Sequence, residues 1–243
     1  MTEQNQQLAH AIVDSIRRMA IHYGLWFANS VNKFGIDAAL EMEKDAGDRA
    51  HDIVIDRLCK TLGVPQAENG LPAALVNMPA DQQQALLSAL AVNWLVLDGV
   101  WFQAVEQREG MAAAKEVNDA CWAHFSPLEA ARIKELANLP ENGGLEALAQ
   151  TFAHRLYGAI NEQEVFFEED GALVMRMTKC RVQAARQRKG LPDYPCKSGG
   201  VVEYTTFAQT VDQRISCECV ACPPDPHPEG WFCSWRFRIA DMK

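Results

Sequence analysis

At 243 residues, 48% apolar and 23% charged, the chain has the size and composition of a folded globular protein and not of a disordered one. No apolar run approaches the ~20 residues that span a bilayer. The start, Met1-Thr-Glu-Gln-Asn-Gln-Gln, lacks the basic and apolar segments of a secretory signal. The expected compartment is therefore the reducing cytoplasm, with no membrane partner. The net charge of −9 is unevenly spread: residues 171–243 hold 11 of the 23 Lys+Arg but 7 of the 32 Asp+Glu. That makes the tail about +4 and the rest about −13. A basic module on an acidic body points to a local site for a small anionic molecule and argues against a general grip on nucleic acid.

The first 165 residues read as helix after helix. Over residues 5–30, Leu8, Ile12, Ile16, Met19 and Tyr23 recur at helical spacing. A longer helix is expected over residues 81–109, closed by Gly110. Ser126-Pro127-Leu128-Glu129 reads as a capping box that starts a helix running to about Ala137. Residues 144–160 form another.

Within this region GLWFANSVNKFGIDAALEM (24–42) repeats as GVWFQAVEQREGMAAAKEV (99–117), 75 positions on and without a gap. Gly24/Gly99, Trp26/Trp101, Phe27/Phe102, Gly35/Gly110, Ala38/Ala113, Ala39/Ala114 and Glu41/Glu116 match, and Arg57/Arg132 fall in register beyond. The reading is two similar helical hairpins over about 24–62 and 99–137, packed face to face. The aromatic pairs are expected in the core. Such a duplication would serve a homodimer as readily as a pocket. Asp98, inside an apolar helix, is expected to be semi-buried with His154 or Arg155 as its partner.

After Glu168-Glu169-Asp170-Gly171 the texture becomes β-like. Three short strands are expected, in Leu173–Met177, Arg214–Cys219 and Trp231–Ile239, with a helix over residues 200–211 crossing them. In the last strand Trp231, Cys233, Trp235, Phe237 and Ile239 share one face. The fold class is α+β: duplicated helical hairpins (1–165), then a small antiparallel sheet module with a cysteine cluster (166–243).

Six of the eight cysteines crowd into that module: Cys180, Cys196, Cys217, Cys219, Cys222 and Cys233. In a reduced compartment so close a group holds a metal more often than disulfides. Cys219-x-x-Cys222 brings two thiolates toward one ion, and the proline after Cys222 is a feature of iron–sulfur runs. The expected ligands are Cys219, Cys222 and Cys233 with one of Cys180 or Cys196, around zinc or a [4Fe–4S] cluster; the spacing does not choose between them. Arg181 and Arg186, just after Cys180, offer bidentate forks to an anionic substrate. Glu203 and His227 are the candidate proton-transfer groups.

Three stretches carry a resemblance: Leu97-Asp-Gly-x-Trp-Phe102; the run Met177-Thr-Lys-Cys-Arg-Val-Gln-Ala-Ala-Arg to Asp-Tyr-Pro-Cys196; and Cys219-x-x-Cys-Pro-Pro-Asp-Pro-His227 with Cys233-x-Trp-x-Phe237. They resemble an uncharacterised family of cytosolic proteins common in anaerobic bacteria. That family is itself distantly similar to L-2-amino-thiazoline-4-carboxylic acid hydrolases and 4-vinyl-reductase domains. The resemblance implies a helical start, a small sheet and C-terminal cysteines. It also implies C–N or C–S bond hydrolysis on a small carboxylate, or a small-molecule or tetrapyrrole pocket. Three functions follow as expectations: a small-molecule metalloenzyme of hydrolase type, a sensor module with a structural four-cysteine site, or an iron–sulfur redox protein.

Overall fold

The computed structural model describes residues 2–190 and 192–239. The chain divides into two compact units, one ending at Val76 and the other beginning at Asn77. The second hairpin therefore shares a unit with the cysteine-rich module, and the division falls well before the expected change at residues 165–166.

The first unit is a hairpin of α1 (Glu3–Phe34) and α2 (Ile36–Leu62), followed by the short α3 (Ala73–Val76). Thr2 caps α1, its Oγ1 accepting from the Asn5 N–H at 3.3 Å. Gly35 ends α1 and begins α2 with φ 86° and ψ 166°, a conformation essentially reserved for glycine. Its N–H donates to the Val31 carbonyl at 2.9 Å, and its own carbonyl accepts from Ala39 N–H at 3.1 Å. One residue thus closes one helix and opens the next.

The second unit begins with the same device. Helices α4 (Ala80–Glu109) and α5 (Met111–Leu136) meet at Gly110, with φ 89° and ψ 170°. Its N–H donates to Glu106 O at 2.9 Å, and its carbonyl accepts from Ala114 N–H at 3.1 Å. Ala39 and Ala114 are each about 1% exposed, as the close crossing after each glycine requires. The repeat read in the sequence is a repeat of backbone.

Its aromatic residues behave otherwise than expected. Trp26 and Trp101 are 69% and 66% exposed, and Phe27 and Phe102 are half-buried. Neither hairpin uses its Trp-Phe pair as a core. α1 buries no side chain, and Leu8, Ile12 and Ile16 stand exposed on it. By length and composition alone α4 is long and apolar enough to cross a membrane, with mean hydropathy 1.7 over its most apolar window. The sequence reading missed this because Asp98 and Asn93 interrupt the run.

The capping box at Ser126 does not begin a helix: α5 runs straight through Ser126 and Pro127. An internal proline costs about 3 kcal/mol. Here burial of Trp122, Ala130 and Ile133 along the same helix offsets it. Helix α6 (Gly144–His154) follows and stops earlier than expected.

The sheet has four strands where three were expected. They are β1 (Glu162–Phe167), β2 (Leu173–Lys179), β3 (Ile215–Ala221) and β4 (Cys233–Ile239), in the order β1-β2-β4-β3, all antiparallel. The acidic stretch taken as a boundary is the β1–β2 turn, with Gly171 at φ 80°. Helices α7 (Arg181–Gln187) and α8 (Lys197–Val211) lie between β2 and β3 in sequence. One sheet face, carrying Leu173, Met175, Ile215, Trp235 and Phe237, packs with Phe152 of α6 and Phe207 of α8 into a dry core. The alternation in β4 holds for Trp235 and Phe237, but Ser234 is also buried and Ile239 is 40% exposed. On the opposite face Arg176 stacks over Phe166 at 4.8 Å, and Arg236 and Arg238 pair with Asp170.

Candidate thiol site and cavity

Strand pairing brings four cysteines to one end of the sheet. Met177 of β2 lies opposite Cys233, the first residue of β4, and Phe232 N–H extends the ladder to Met177 O at 2.9 Å. Cys180 follows β2 as the N-cap of α7. Cys222 lies just past β3, and Cys196 is the N-cap of α8. Lys197 N–H donates to Pro223 O at 2.9 Å, tying the start of α8 to the turn after Cys222.

The sulfurs form a chain. The neighbouring Cys196 and Cys233 thiols first of all, and burial after them, push the Cys222 pKa far up. Cys196 moves the other way. The Cys222 thiol lowers it most; burial opposes, and the Lys115 charge and the Gln183 amide lower it further. A helix N-terminus also favours a thiolate. Cys180 feels both Cys196 and Cys233, and burial pushes it up to about 12.

Gln183 fixes this geometry. It is fully buried, and its Nε2 donates to Tyr194 O at 2.9 Å and to Cys196 Sγ at 3.1 Å. Its Oε1 accepts from Tyr194 N–H at 2.8 Å. Sequence reasoning missed Gln183, since an amide in a basic helix carries no signal of its own.

Cys219 does not join this set. It sits opposite Trp235, and a β-bulge between Cys219 and Ala221 breaks the expected Cys-x-x-Cys turn. Burial raises its pKa to about 11, and its electrostatic neighbours are Lys197, Asp225 and Cys233. Among the described residues no three His, Cys, Asp or Glu side chains already surround a common metal position.

Beside the thiols opens a cavity of about 610 Å³ between α4, α5, α7 and α8. Cys180 and Cys196 line it, with Arg181, Arg186 and Glu203, so three of the non-thiol residues singled out in the sequence share one space. The fourth, His227, lies outside it. Its Nε2 is 2.9 Å from Asp193 Oδ2 and its Nδ1 3.0 Å from Pro228 O, and Asp193 first of all raises its pKa. His227 thus clips two loops together.

Glu203 is 6% exposed on α8. Arg155 Nη2 donates to its Oε1 at 2.7 Å, and Arg155 Nε donates to Glu129 Oε2 at 2.9 Å. Burial raises Glu203 to about 7, with Arg155 pulling it down and Glu129 and Asp98 pushing it up. A carboxyl there is half-protonated near neutrality, as a general acid or base requires. Asp98, raised by burial, lies in the same cavity; its hydrogen-bond partner is Asn118 Nδ2 at 3.4 Å, not His154 or Arg155.

The cavity also holds residues the sequence reading passed over: Lys115, Trp122, Tyr157 and Tyr194. The repeat held the signal for two of them. Lys115 stands where the first copy has Leu40, and Trp122 where it has Gly47. Gly199 and Gly200 let α8 come close: a Cβ at Gly199 would lie 3.0 Å from Asp119 Oδ1, and at Gly200 2.6 Å from the Trp235 ring.

No curated protein and no solved structure matches the chain. One family profile does, over residues 2–78 and again over 76–239, and its description is a family of unknown function, DUF6125. The two matches begin almost one repeat length apart, in step with the duplicated hairpin. The chain belongs to the DUF6125 family.

Proposed function

We propose that this DUF6125 protein is a small-molecule metalloenzyme of hydrolase type, with a thiolate metal site at the floor of the cavity. The observation that carries it is the gathering of Cys180, Cys196, Cys222 and Cys233 at one end of the sheet, at the ends of β2 and β3 and the starts of α7, α8 and β4. Four thiols converging there form a soft donor set of the kind zinc or an iron–sulfur cluster takes. Binding would displace the thiol protons and draw the sulfurs around one centre. The residues present fit: Gln183 donates to Cys196 Sγ, and Lys115 adds positive charge.

Cys196, Cys222 and Cys233 are the primary ligands in this reading; Cys180 closes the site or leaves its place to water. A three-thiolate zinc would supply a polarised water for hydrolysis; a cluster would supply electron transfer instead. The chain's own contribution is Glu203, which holds or releases a proton at its carboxyl near neutral pH. Arg155 orients that carboxyl, and Arg181 and Arg186 sit at the cavity to hold an anionic substrate. Val92 and Leu95 of α4 give the cavity an apolar wall beside these charged groups.

The deciding experiment is anaerobic purification with metal analysis and a visible spectrum. One zinc per chain without colour, lost in Cys222→Ser and Cys196→Ser but kept in Cys180→Ser, supports the hydrolase. Loss in Cys180→Ser as well favours the closed structural site of a sensor, since Cys180 is the thiol through which the cavity would reach the metal. A brown protein favours the redox reading. Protein free of metal and cluster in every preparation sinks all three.

A further inference from the structure

A lysine stands inside the cavity without a hydrogen bond. Lys115 Nζ has essentially no solvent contact, and its side chain is 15% exposed. Its nearest carboxylate, Asp119 Oδ1, is 3.7 Å away, too far for a hydrogen bond, and is itself unsatisfied. What Lys115 does touch is aromatic: Nζ lies 4.9 Å over the Tyr194 ring. Buried donors are rarely left unmet, because a donor stripped of water without a full partner is costly. Lys115 lines the cavity with its Nζ covered and paired only loosely with Asp119, so a ligand oxygen that reached it would supply the acceptor it lacks.

The walls define the rest of that ligand. Trp122 and Tyr157 stack at 5.7 Å and 18°, and Phe102 meets Tyr194 edge-on at 5.3 Å. All four rings line the cavity, which has the size of a typical small-ligand site. Its carboxyl groups, Asp98, Glu106 and Glu203, choose among anions. A phosphate dianion at Lys115 would face them at close quarters, whereas a monoanion meets less repulsion. The basic side chains Arg181, Arg186, Arg188 and Lys189 line the α7 side and would guide an anion inward.

We infer that the cavity binds a flat aromatic monocarboxylate, its carboxylate on Lys115 Nζ and its ring among Trp122, Tyr157, Phe102 and Tyr194. The inference uses the cavity of the proposed site but not its metal, and so stands or falls separately. Lys115, not the arginines expected from the sequence, is the inner anchor.

Benzoate is the probe, titrated into the purified full chain and followed by tryptophan fluorescence, with metal content read on the same samples. Saturable quenching is expected, and Lys115→Met should weaken it about tenfold or more, the loss of one charge-assisted hydrogen bond. Lys115→Arg should retain part of it, while benzyl alcohol and inorganic phosphate should not compete. Unchanged benzoate affinity in Lys115→Met would overturn the assignment, as would phosphate competing as well as benzoate. p-Iodobenzoate located in crystals by its iodine places the ring without any variant, and a position outside this cavity has the same adverse meaning. Metal present with no benzoate binding refutes this inference alone; benzoate binding without metal refutes only the proposed metal site.

Discussion

The two hairpins share a frame and differ in what it carries. Gly35 and Gly110 take the same backbone conformation, and Ala39 and Ala114 the same burial. Even a cross-helix contact recurs: Tyr23 donates to Glu43 at 2.8 Å, and at the matching places Asn118 donates to Asp98 at 3.4 Å. The divergence lies along the face that meets α8 and the sheet module. There Leu40 gives way to Lys115, Gly47 to Trp122 and Val54 to Glu129. Duplication kept the geometry that glycine dictates, while polar and aromatic chemistry gathered on the copy with a module against it. A helix pair is a neutral scaffold; what packs on it decides which positions acquire function.

This contrast can be broken experimentally. Arg155→Met should have the largest effect, about 3–5 kcal/mol of stability, because two buried carboxylates lose the cation they share. Denaturant unfolding would show it, and a loss under 1 kcal/mol would mean that Glu129 does not tie the second hairpin to the module.

Next comes pH. Glu203 titrates higher folded, about 7, than its ordinary 4.5. Its favourable contribution is thus complete below 4.5 and fades as pH rises through 7, on the order of 3 kcal/mol in all. Unfolding midpoints compared at pH 5 and pH 8 should show this slope, and Glu203→Gln should flatten it; an unchanged slope removes Glu203 as its origin.

Gly35→Ala and Gly110→Ala should each cost about 1–3 kcal/mol, and by similar amounts. Strongly unequal losses would show that the two turns are not equivalent. Smallest of all, Trp26→Gln and Trp101→Gln should each stay within about 0.5 kcal/mol, as exposed positions do. A larger thermal shift in either would mean that its ring is covered in solution.

Much of the fold was readable from pattern. Helical spacing exposed the long helices, and the 75-residue repeat located both glycine corners. The α+β class followed from the change of texture after Gly171. Other features were fixed by tertiary contact and left no local mark. Ser126-Pro127 has every sign of a helix start, yet α5 continues because both residues are buried against neighbours. Strand β1 is half polar, and its pairing with β2 makes it a strand. The tryptophan positions misled because helical spacing tells which residues share a face, not whether anything covers that face.

At the thiols, sequence closeness favoured Cys219 with Cys222, but the bulge at residues 219–221 spoils that alignment. Cys196, remote in sequence, arrives through the start of α8. Glu203, Arg181 and Arg186 were found by residue type and do meet at one cavity. Lys115 was overlooked because a lysine in an alanine-rich helix usually faces water.

The glycine pair at residues 199 and 200 has a mechanical corollary. α8 is a single rod bearing Cys196 at its tip and Glu203 two turns along, about 10 Å away. A side chain grown at Gly200 would meet the Trp235 ring and lever the whole rod off its bed, shifting sulfur and carboxyl by the same motion. Evolution cannot retune one without disturbing the other: helix rise fixes the distance between them, and the bare Cα of Gly200 sets how close both lie to the sheet.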